Sequence, residues 1–175
     1  MKSNLILIGM PGAGKSTVGV LLAKTLGYDF VDLDIVIAKK QGKPLQEIID
    51  IQGMDAFLKA EEEAGVNLKT EKTVVAPGGS VVFSEAAMKN LKQDGLCIYL
   101  KVPLAALEHR LEKTRATRGL VAAADATVAD IFELRRPLYE RYADIVIDCT
   151  GKEVEDVIVA ISKEVGLYRA IASHP

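Results

Sequence analysis

Residues 9–16 carry the feature that most constrains the fold of this 175-residue chain. They read Gly-Met-Pro-Gly-Ala-Gly-Lys-Ser, the pattern G-x-x-x-x-G-K-S that is typical of a phosphate-binding loop. An apolar run over 5–8 precedes the loop, and apolar residues recur at helical spacing over 18–26, so the loop joins a buried strand to a helix. Such a loop turns backbone N–H groups and the positive end of a helix toward one anion. The stretch therefore predicts binding of nucleotide phosphates.

Individual residues of this loop have expected roles. Gly12 and Gly14 permit backbone conformations that a β-carbon would block, which lets successive N–H groups converge on a phosphate. Lys15 is expected to reach the β- and γ-phosphates and the Ser16 hydroxyl to ligate Mg²⁺. The residues predicted to contact ATP are Gly12, Ala13, Gly14, Lys15, Ser16 and Thr17. The alternative is a chance glycine-rich turn between a strand and a helix.

Bulk properties limit the classes of protein that need consideration. The length and the apolar content of 49% fit a single domain over 1–175. A net charge of −2 gives no basic surface for nucleic acid, and no apolar run approaches the roughly 20 residues that cross a bilayer. Cys97 and Cys149 lie in apolar stretches and are interpreted as buried hydrophobic residues, not as a disulfide or metal site. We expect a cytoplasmic monomer without nucleic-acid or membrane partners.

Apolar runs alternate with helical patterns along the chain. The predicted strands are 5–8, 30–33, 73–76, 97–100 and 145–147, and the predicted helices are 15–26, 35–41, 45–51, 55–68, 84–92, 103–113, 128–142 and 153–165. This alternation predicts an α/β fold, a parallel sheet with helices on both faces. Ligands of such sheets bind beyond the carboxyl ends of the strands. The tail 167–175 shows no evident role and is expected to be disordered.

Two carboxylates follow the second predicted strand. Asp32 and Asp34 are two residues apart, so an extended chain would turn both to the same side. One could hold a Mg²⁺-bound water and the other could face the hydroxyl group of an acceptor. The alternatives are a solvated strand end, or Asp34 acting only as the cap of the helix 35–41.

Glycines and acidic residues occur in two stretches between these elements. Gly78 and Gly79 follow the third predicted strand, where a glycine pair permits close approach of the backbone to a ligand; a plain turn is the alternative. Glu61, Glu62 and Glu63 read as the solvated face of a charged helix.

Arginines occur in two stretches near the C-terminal half. The polar segment 114–125 suits a lid that brings Arg115 or Arg118 over a transferring phosphate, or else a surface loop. Arg135 lies two residues before Pro137, and that proline is expected to kink or end its helix.

Taken together, these motifs resemble the shikimate kinase family of P-loop kinases over nearly the whole chain. The matching pieces are 9–19, Phe30–Asp34 (Phe-Val-Asp-Leu-Asp), Phe57 with Glu61, Gly78-Gly79, Arg110, Arg118 and 135–139 followed by Ala143-Asp144. The resemblance implies an adenylate-kinase-like sheet of five parallel strands in the order 2-3-1-4-5, acceptor-binding helices over 34–68 and a lid over 114–125.

The resemblance also implies an activity, transfer of the γ-phosphoryl group of ATP to the 3-hydroxyl of shikimate. Under it, Lys15 and the loop amides hold the phosphates, and Ser16 and, through water, Asp32 serve Mg²⁺. Asp34 would bind the acceptor hydroxyls and act as base. The implied partners of nucleotide and acceptor are Arg110 packed on the adenine, Arg118 from the lid, Gly78 and Gly79 at the acceptor, and Arg135 paired with the acceptor carboxylate.

Three departures from the family pattern concern the acceptor and the lid. Leu58 stands where the family has an arginine that helps to hold the shikimate carboxylate. Ser80 replaces the third glycine of a triplet, and Gly119 replaces the proline after the lid arginine. These departures leave open a sister kinase with another small hydroxylated acceptor. Two other classes are a nucleotide-dependent switch or ATPase module, which the missing Asn-Lys-x-Asp and Asp-Glu signatures disfavour, and a non-catalytic nucleotide-binding protein.

Overall fold

A five-stranded parallel sheet forms the centre of the molecule in a computed structural model, which describes residues 2–114 and 126–172. The strands are β1 (Asn4–Ile8), β2 (Asp29–Asp32), β3 (Thr73–Ala76), β4 (Gly95–Lys101) and β5 (Ile145–Asp148). Their order is β2-β3-β1-β4-β5, as the resemblance implied.

Helices connect the strands and pack around the sheet. They are α1 (Lys15–Leu26), α2 (Leu33–Gln41), α3 (Leu45–Gln52), α4 (Met54–Asn67), α5 (Glu85–Asp94), α6 (Leu104–Thr114), α7 (Val128–Tyr142) and α8 (Val154–Ala172), with a short 3-10 helix at Val81–Phe83. The α/β fold predicted from the alternation of apolar runs is confirmed.

The central strand determines where a ligand can bind. All five residues of β1 are buried, because β3 and β4 flank it on both sides and helices cover it. The chain leaves β1 toward β2 on one side of the sheet and returns to β4 on the other, so the strand order reverses at β1. A crevice opens beyond the carboxyl ends of the strands at such a point. The loop 9–14 lies there, between β1 and α1.

The predicted bounds of the helix that contains Pro137 are confirmed, and those of the last helix are wrong. Pro137 lies inside α7, which runs over Val128–Tyr142 as predicted and does not end at the proline. Helix α8 runs to Ala172 instead of stopping near 165, and Arg169 on it donates a hydrogen bond to the Tyr28 hydroxyl at 3.2 Å. No pattern in the local sequence predicted this long-range contact. The last three residues of the predicted disordered tail, 173–175, lie outside the described residues.

The interpretation of the two cysteines as buried residues is confirmed. Cys97 and Cys149 are buried and free. Within the described residues, no helix combines the length and the apolar character that a membrane crossing needs.

Candidate active site

A cavity of about 490 Å³ begins at the phosphate-binding loop and extends toward α2, α3 and α4. Its loop end is lined by Gly12, Gly14, Lys15, Ser16 and Thr17. Its far end is lined by polar groups, namely Asp34, Glu61, Ser80 and Arg135, by Gly78 and Gly79, and by the apolar side chains of Ile35, Leu45 and Phe57. One space therefore joins the predicted phosphate site to all four predicted acceptor residues, Asp34, Gly78, Gly79 and Arg135.

The loop has the backbone that its glycines predict. Gly12 and Gly14 have φ values of +79° and +91°, in the left-handed region that favours glycine. Helix α1 begins at Lys15, and its N-terminus faces the cavity. Ala13 is buried and donates its N–H to the Met10 carbonyl at 3.1 Å, so it contributes to the shape of the loop and does not line the cavity.

The Lys15 ammonium lies across its own loop. Nζ donates hydrogen bonds to the carbonyl oxygens of Gly9 at 2.8 Å and Met10 at 3.0 Å. Loss of solvation lowers the pKa of Lys15 from 10.5 to about 8, opposed chiefly by the negative charge of Asp34. An anionic ligand at the loop would favour the charged form of this lysine.

The two aspartates reach the cavity by a geometry that differs from the prediction. Asp32 ends β2, whereas Asp34 already belongs to α2, so strand alternation is not what brings them together. Asp32 caps that helix and accepts the Asp34 N–H through Oδ1 at 3.0 Å, which corrects the alternative in which Asp34 was the cap. The other oxygen, Oδ2, accepts a hydrogen bond from the Ser16 hydroxyl at 2.6 Å.

The Ser16–Asp32 pair fits a magnesium site. A hydroxyl and a carboxylate oxygen lie within hydrogen-bonding distance of each other beside the phosphate loop. Mg²⁺ is usually held by one or two such oxygens, with water and substrate phosphates completing its shell. Among the described residues no cluster of three or more His, Cys, Asp or Glu side chains suited to a metal occurs. This small donor set matches a metal that arrives with a nucleotide.

Two carboxylates converge on Gly78. A β-carbon at Gly78 would lie 2.3 Å from Glu61 Oε1 and 3.1 Å from Asp34 Oδ1, and its φ is +94°. Both features disfavour a side chain here, because L residues rarely adopt this φ and the Glu61 carboxylate would have to move away. The close approach at Gly78 is to carboxylates of the chain itself, and the contact of the glycine pair with a ligand stays a prediction.

Gly79 lies between the phosphate loop and Arg135. A β-carbon there would be 3.0 Å from Pro11 Cδ and 3.1 Å from Arg135 Nη1. The Gly79 carbonyl accepts a hydrogen bond from the Tyr139 hydroxyl at 2.6 Å. Arg135 is 2% exposed, and its guanidinium lies 5.4 Å from the centroid of the Phe83 ring. Burial raises the pKa of Tyr139, while the charge of Arg135 and a hydrogen bond from it act in the opposite direction.

Glu61 is a site residue that the sequence interpretation placed wrongly. Glu62 and Glu63 are exposed as predicted, but Glu61 is only 2% exposed and lines the cavity. Its Oε2 accepts a hydrogen bond from Ser80 Oγ at 2.5 Å. The signal that could have found it is its spacing, because Glu61 is four residues after the buried Phe57 and so lies on the same face of α4.

The remaining predicted residues lie around or beyond this cavity. Arg110 is exposed on α6, and its Nη1 donates to the Gly12 carbonyl at 3.1 Å, so it lies at the outer side of the loop. Leu58 is half-buried on α4 and is not among the residues that line the cavity. The predicted lid over 114–125, with Arg115, Arg118 and Gly119, lies outside the described residues apart from the backbone of Thr114, which ends α6.

Glu61 gives a stability prediction that does not depend on any ligand. Burial raises its pKa from 4.5 to about 7, so the folded chain binds this proton more tightly than the unfolded chain does. The corresponding stabilisation is complete below pH 4.5 and is lost as the pH rises through 7. We expect Glu61→Gln to remove this loss, so that the variant gains up to about 3 kcal/mol relative to the parent between pH 5 and 8.

Denaturant unfolding of both proteins at pH 5 and pH 8 measures this difference. Glu63→Gln is the matched control, because Glu63 is exposed on the same helix and its contact with Lys40 is a 3.7 Å surface ion pair. A difference between the Glu61→Gln variant and the parent that stays constant with pH would contradict the prediction.

Comparisons with known proteins identify relatives of this arrangement. The model of the family described as "Shikimate kinase" matches residues 11–165. The chain is 40% identical to a shikimate kinase of Thermodesulfovibrio yellowstonii over 92% of its own length and 94% of that protein, and 33% identical to one of Chlorobium chlorochromatii over 95% and 92%. The structure of the Acinetobacter baumannii shikimate kinase in complex with shikimate is similar, with a TM-score of 0.86 and 29% identity over 93% of this chain and 92% of that one.

Proposed function

The chain belongs to the shikimate kinase family, and we propose that it is a phosphotransferase that moves the γ-phosphoryl group of ATP to the 3-hydroxyl group of shikimate. The observation that carries the proposal is the single cavity that runs from Lys15 to Asp34, Gly79 and Arg135. Phosphoryl transfer requires mainly that donor and acceptor lie in line and that the developing charge is neutralised, which one continuous cavity allows.

On the nucleotide side, the phosphate loop would bind the ATP phosphates through its N–H groups and the N-terminus of α1. Lys15 would turn from its own loop carbonyls to the β- and γ-phosphates. Ser16 and, through water, Asp32 would hold Mg²⁺, which neutralises phosphate charge when it is bound. Arg110 is available at the outer side of the loop for the base of the nucleotide. The assignment of Arg118 to the transferring phosphate rests on the resemblance alone.

On the acceptor side, Asp34 would receive the proton of the attacking hydroxyl. The acceptor oxygen forms its bond to the γ-phosphorus as the bond to the β-γ bridging oxygen breaks and ADP leaves. Gly79 would offer its N–H to the acceptor, since its bare α-carbon permits close approach between Pro11 and Arg135. The Arg135 guanidinium would bind the acceptor carboxylate.

A coupled assay of ADP release tests the proposal. The panel contains shikimate, related ring acids, sugar acids and nucleosides, each at saturating ATP and Mg²⁺. We expect turnover with shikimate well above all other compounds and above the rate without an acceptor. A higher kcat/KM with another compound would support the second candidate, a kinase of this family with a different small hydroxylated acceptor.

Two observations favour that second candidate. Leu58 has no charge to offer a carboxylate, and Lys59 cannot replace an arginine there, because one residue along a helix rotates the side chain by about 100°. Ser80 donates its hydroxyl to Glu61, so the family's third glycine has become part of a buried polar pair. The nucleotide half of the cavity follows the family pattern, and the acceptor half departs from it.

Substitution of Leu58 distinguishes these candidates. Leu58→Arg restores the family's arginine, and a charge-assisted hydrogen bond to a carboxylate contributes about 1.5–3 kcal/mol. We expect the dissociation constant for shikimate to fall about tenfold to a hundredfold, as measured by calorimetric titration. Leu58→Met, which keeps the volume and adds no charge, is the control and should leave it unchanged. No gain from the arginine would indicate a pocket rebuilt around another acceptor.

A further inference from the structure

Glu61 and Ser80 form a buried pair at the acceptor end of the cavity that the proposed phosphoryl transfer does not use. Ser80 is 2% exposed and donates to Glu61 Oε2 at 2.5 Å. The second carboxylate oxygen, Oε1, is buried and has no hydrogen-bond partner among the described residues. A buried polar atom without a partner is costly unless a ligand completes its hydrogen bonding. The atom lies against Gly78 in the wall of the cavity, so an acceptor is the natural partner.

The charges that face Glu61 come from three elements. Asp34 on α2 is negative, and Arg135 on α7 and Lys15 at the start of α1 are positive. Other charged or polar groups nearby contact its neighbours instead, since Lys40 of α2 pairs with Glu63, and Ser84, which caps α5, donates to Glu62. Leu58, three residues before Glu61 on the same helix, brings no charge.

Binding of substrates changes this balance. The ATP phosphates would take Lys15, which leaves the Arg135 guanidinium as the cation shared by Asp34, Glu61 and the carboxylate of an acid acceptor. Three carboxylates around one guanidinium in a buried site is unfavourable, because like charges this close cannot all remain ionised. Neutralisation of one of them relieves the repulsion. Of the two protein carboxylates, Glu61 is more deeply buried than Asp34 and so loses more solvation when it is charged.

We propose that an acceptor carrying a carboxylate binds this cavity together with one proton, which is taken up by Glu61. The inference rests on the proposed function. It adds that proton uptake, together with the residues Leu58 and Ser80, determines the affinity of this chain for an anionic hydroxylated ring. Neutral Glu61 keeps its Oε2 as acceptor for Ser80 and presents an O–H at Oε1 to an oxygen of the bound acceptor.

The resting charge of Glu61 supports this linkage. Burial raises its pKa to about 7, with Asp34 acting in the same direction and the Ser80 hydrogen bond, Arg135 and Lys15 acting in the opposite one. Between pH 7 and 9 the carboxyl group is therefore mostly ionised before an acceptor binds. A proton can be taken up in this range, and the affinity for an anionic acceptor should fall as the pH rises.

Calorimetric titration of the 175-residue protein with shikimate, at saturating Mg²⁺ and a non-hydrolysable ATP analogue whose phosphates keep Lys15 charged, tests the proposal. Titrations at pH 8 in two buffers of different ionisation enthalpy give the number of protons taken up on binding. We expect uptake approaching one proton for the parent and a dissociation constant that rises up to about tenfold per pH unit above 7. In Glu61→Gln the amide cannot titrate, so we expect no uptake and a dissociation constant that is flat over this range.

Leu58→Arg provides a second variant that does not alter the pair itself. An arginine three residues before Glu61 should hold the carboxylate ionised, so that shikimate binds more tightly and without proton uptake. Shikimate methyl ester, which has no negative charge, is the matched ligand and should bind the parent without uptake.

Each outcome decides between the two proposals. Binding of shikimate to the parent without proton uptake would overturn the proton linkage and leave the proposed function standing. Uptake that persists in Glu61→Gln would assign the proton to another group, such as Asp34, and would equally overturn it. Absence of shikimate binding at every pH would overturn the proposed function and the linkage with it.

Discussion

Replacing Lys15 with methionine is expected to reduce kcat/KM for ATP-dependent phosphorylation by about 10³-fold or more, the order found when a cation that stabilises a transferring phosphoryl group is removed. Lys15 is the one cationic side chain within residues 9–17, so the loop's N–H groups alone would face the phosphates. Methionine keeps a long, flexible side chain and removes the ammonium. The lysine's hydrogen bonds to the carbonyl oxygens of Gly9 and Met10 are also lost, which leaves both oxygens without this donor.

The coupled ADP-release assay measures the loss, and Lys24→Met is the matched control. Lys24 lies in the last turn of the same helix and is exposed, so its substitution should change activity less than about twofold. Equilibrium unfolding of the variant separates a damaged loop from a lost charge, because a folding defect would lower stability along with turnover. Turnover of a folded Lys15→Met variant within about tenfold of the parent would remove Lys15 from the proposed mechanism.

The nucleotide half of the site could be predicted from sequence because its information is local. The glycines, the lysine and the serine of the loop occur within eight residues, and the backbone conformations of Gly12 and Gly14 follow from the absence of a β-carbon. Alternation of apolar runs indicated the parallel sheet for the same reason. The spacing of apolar residues in each strand and helix reflects which of its own side chains are buried.

The acceptor half of the site depends on contacts between residues that are far apart in the chain. Local sequence patterns therefore predicted it poorly. Glu61 and Ser80 are 19 residues apart, and only the packing of α4 against the turn after β3 reveals that they share a hydrogen bond. A run of three glutamates looks solvated, although one position in the run lies on the same side of the helix as Phe57. The same limit applies to α8, whose last turns gain a contact with Tyr28 from the other end of the chain.

The Asp32–Asp34 pair shows how a correct conclusion can come from a wrong geometry. Strand alternation predicted that both carboxylates lie together, but the strand ends at Asp32. Both nevertheless line the cavity, because Asp32 caps α2 and fixes the N–H of Asp34 at its first turn. The cap separates the two roles: Asp32 is held by Ser16 and by the Asp34 N–H, while the Asp34 carboxylate faces Gly78.

Because Asp32 and Asp34 have different contacts, their substitution is expected to have different consequences. Asp34→Asn is the sharper test. Asparagine keeps the size of the side chain and cannot accept the proton of an acceptor hydroxyl. General-base catalysis contributes roughly 10²–10⁴-fold, so kcat should fall by about this factor. The affinity for ATP should change little, because the hydrogen bonds that hold Ser16 and the first turn of α2 come from Asp32.

Single-turnover phosphorylation measures the transfer step, and titration with a non-hydrolysable ATP analogue measures nucleotide binding. Asp55→Asn is the control, since Asp55 is exposed in the first turn of α4 and lies outside the cavity lining.

The Asp34→Asn substitution removes one negative charge beside Glu61. It should therefore also lower the pKa of the Glu61 carboxyl group, because Asp34 is one of the groups that raises it. Proton uptake with shikimate at pH 8 should then decrease together with kcat, if Asp34 faces both the reacting hydroxyl and Glu61. A variant that loses nucleotide affinity but transfers the phosphoryl group at the parent rate would reassign Asp34 to the magnesium site.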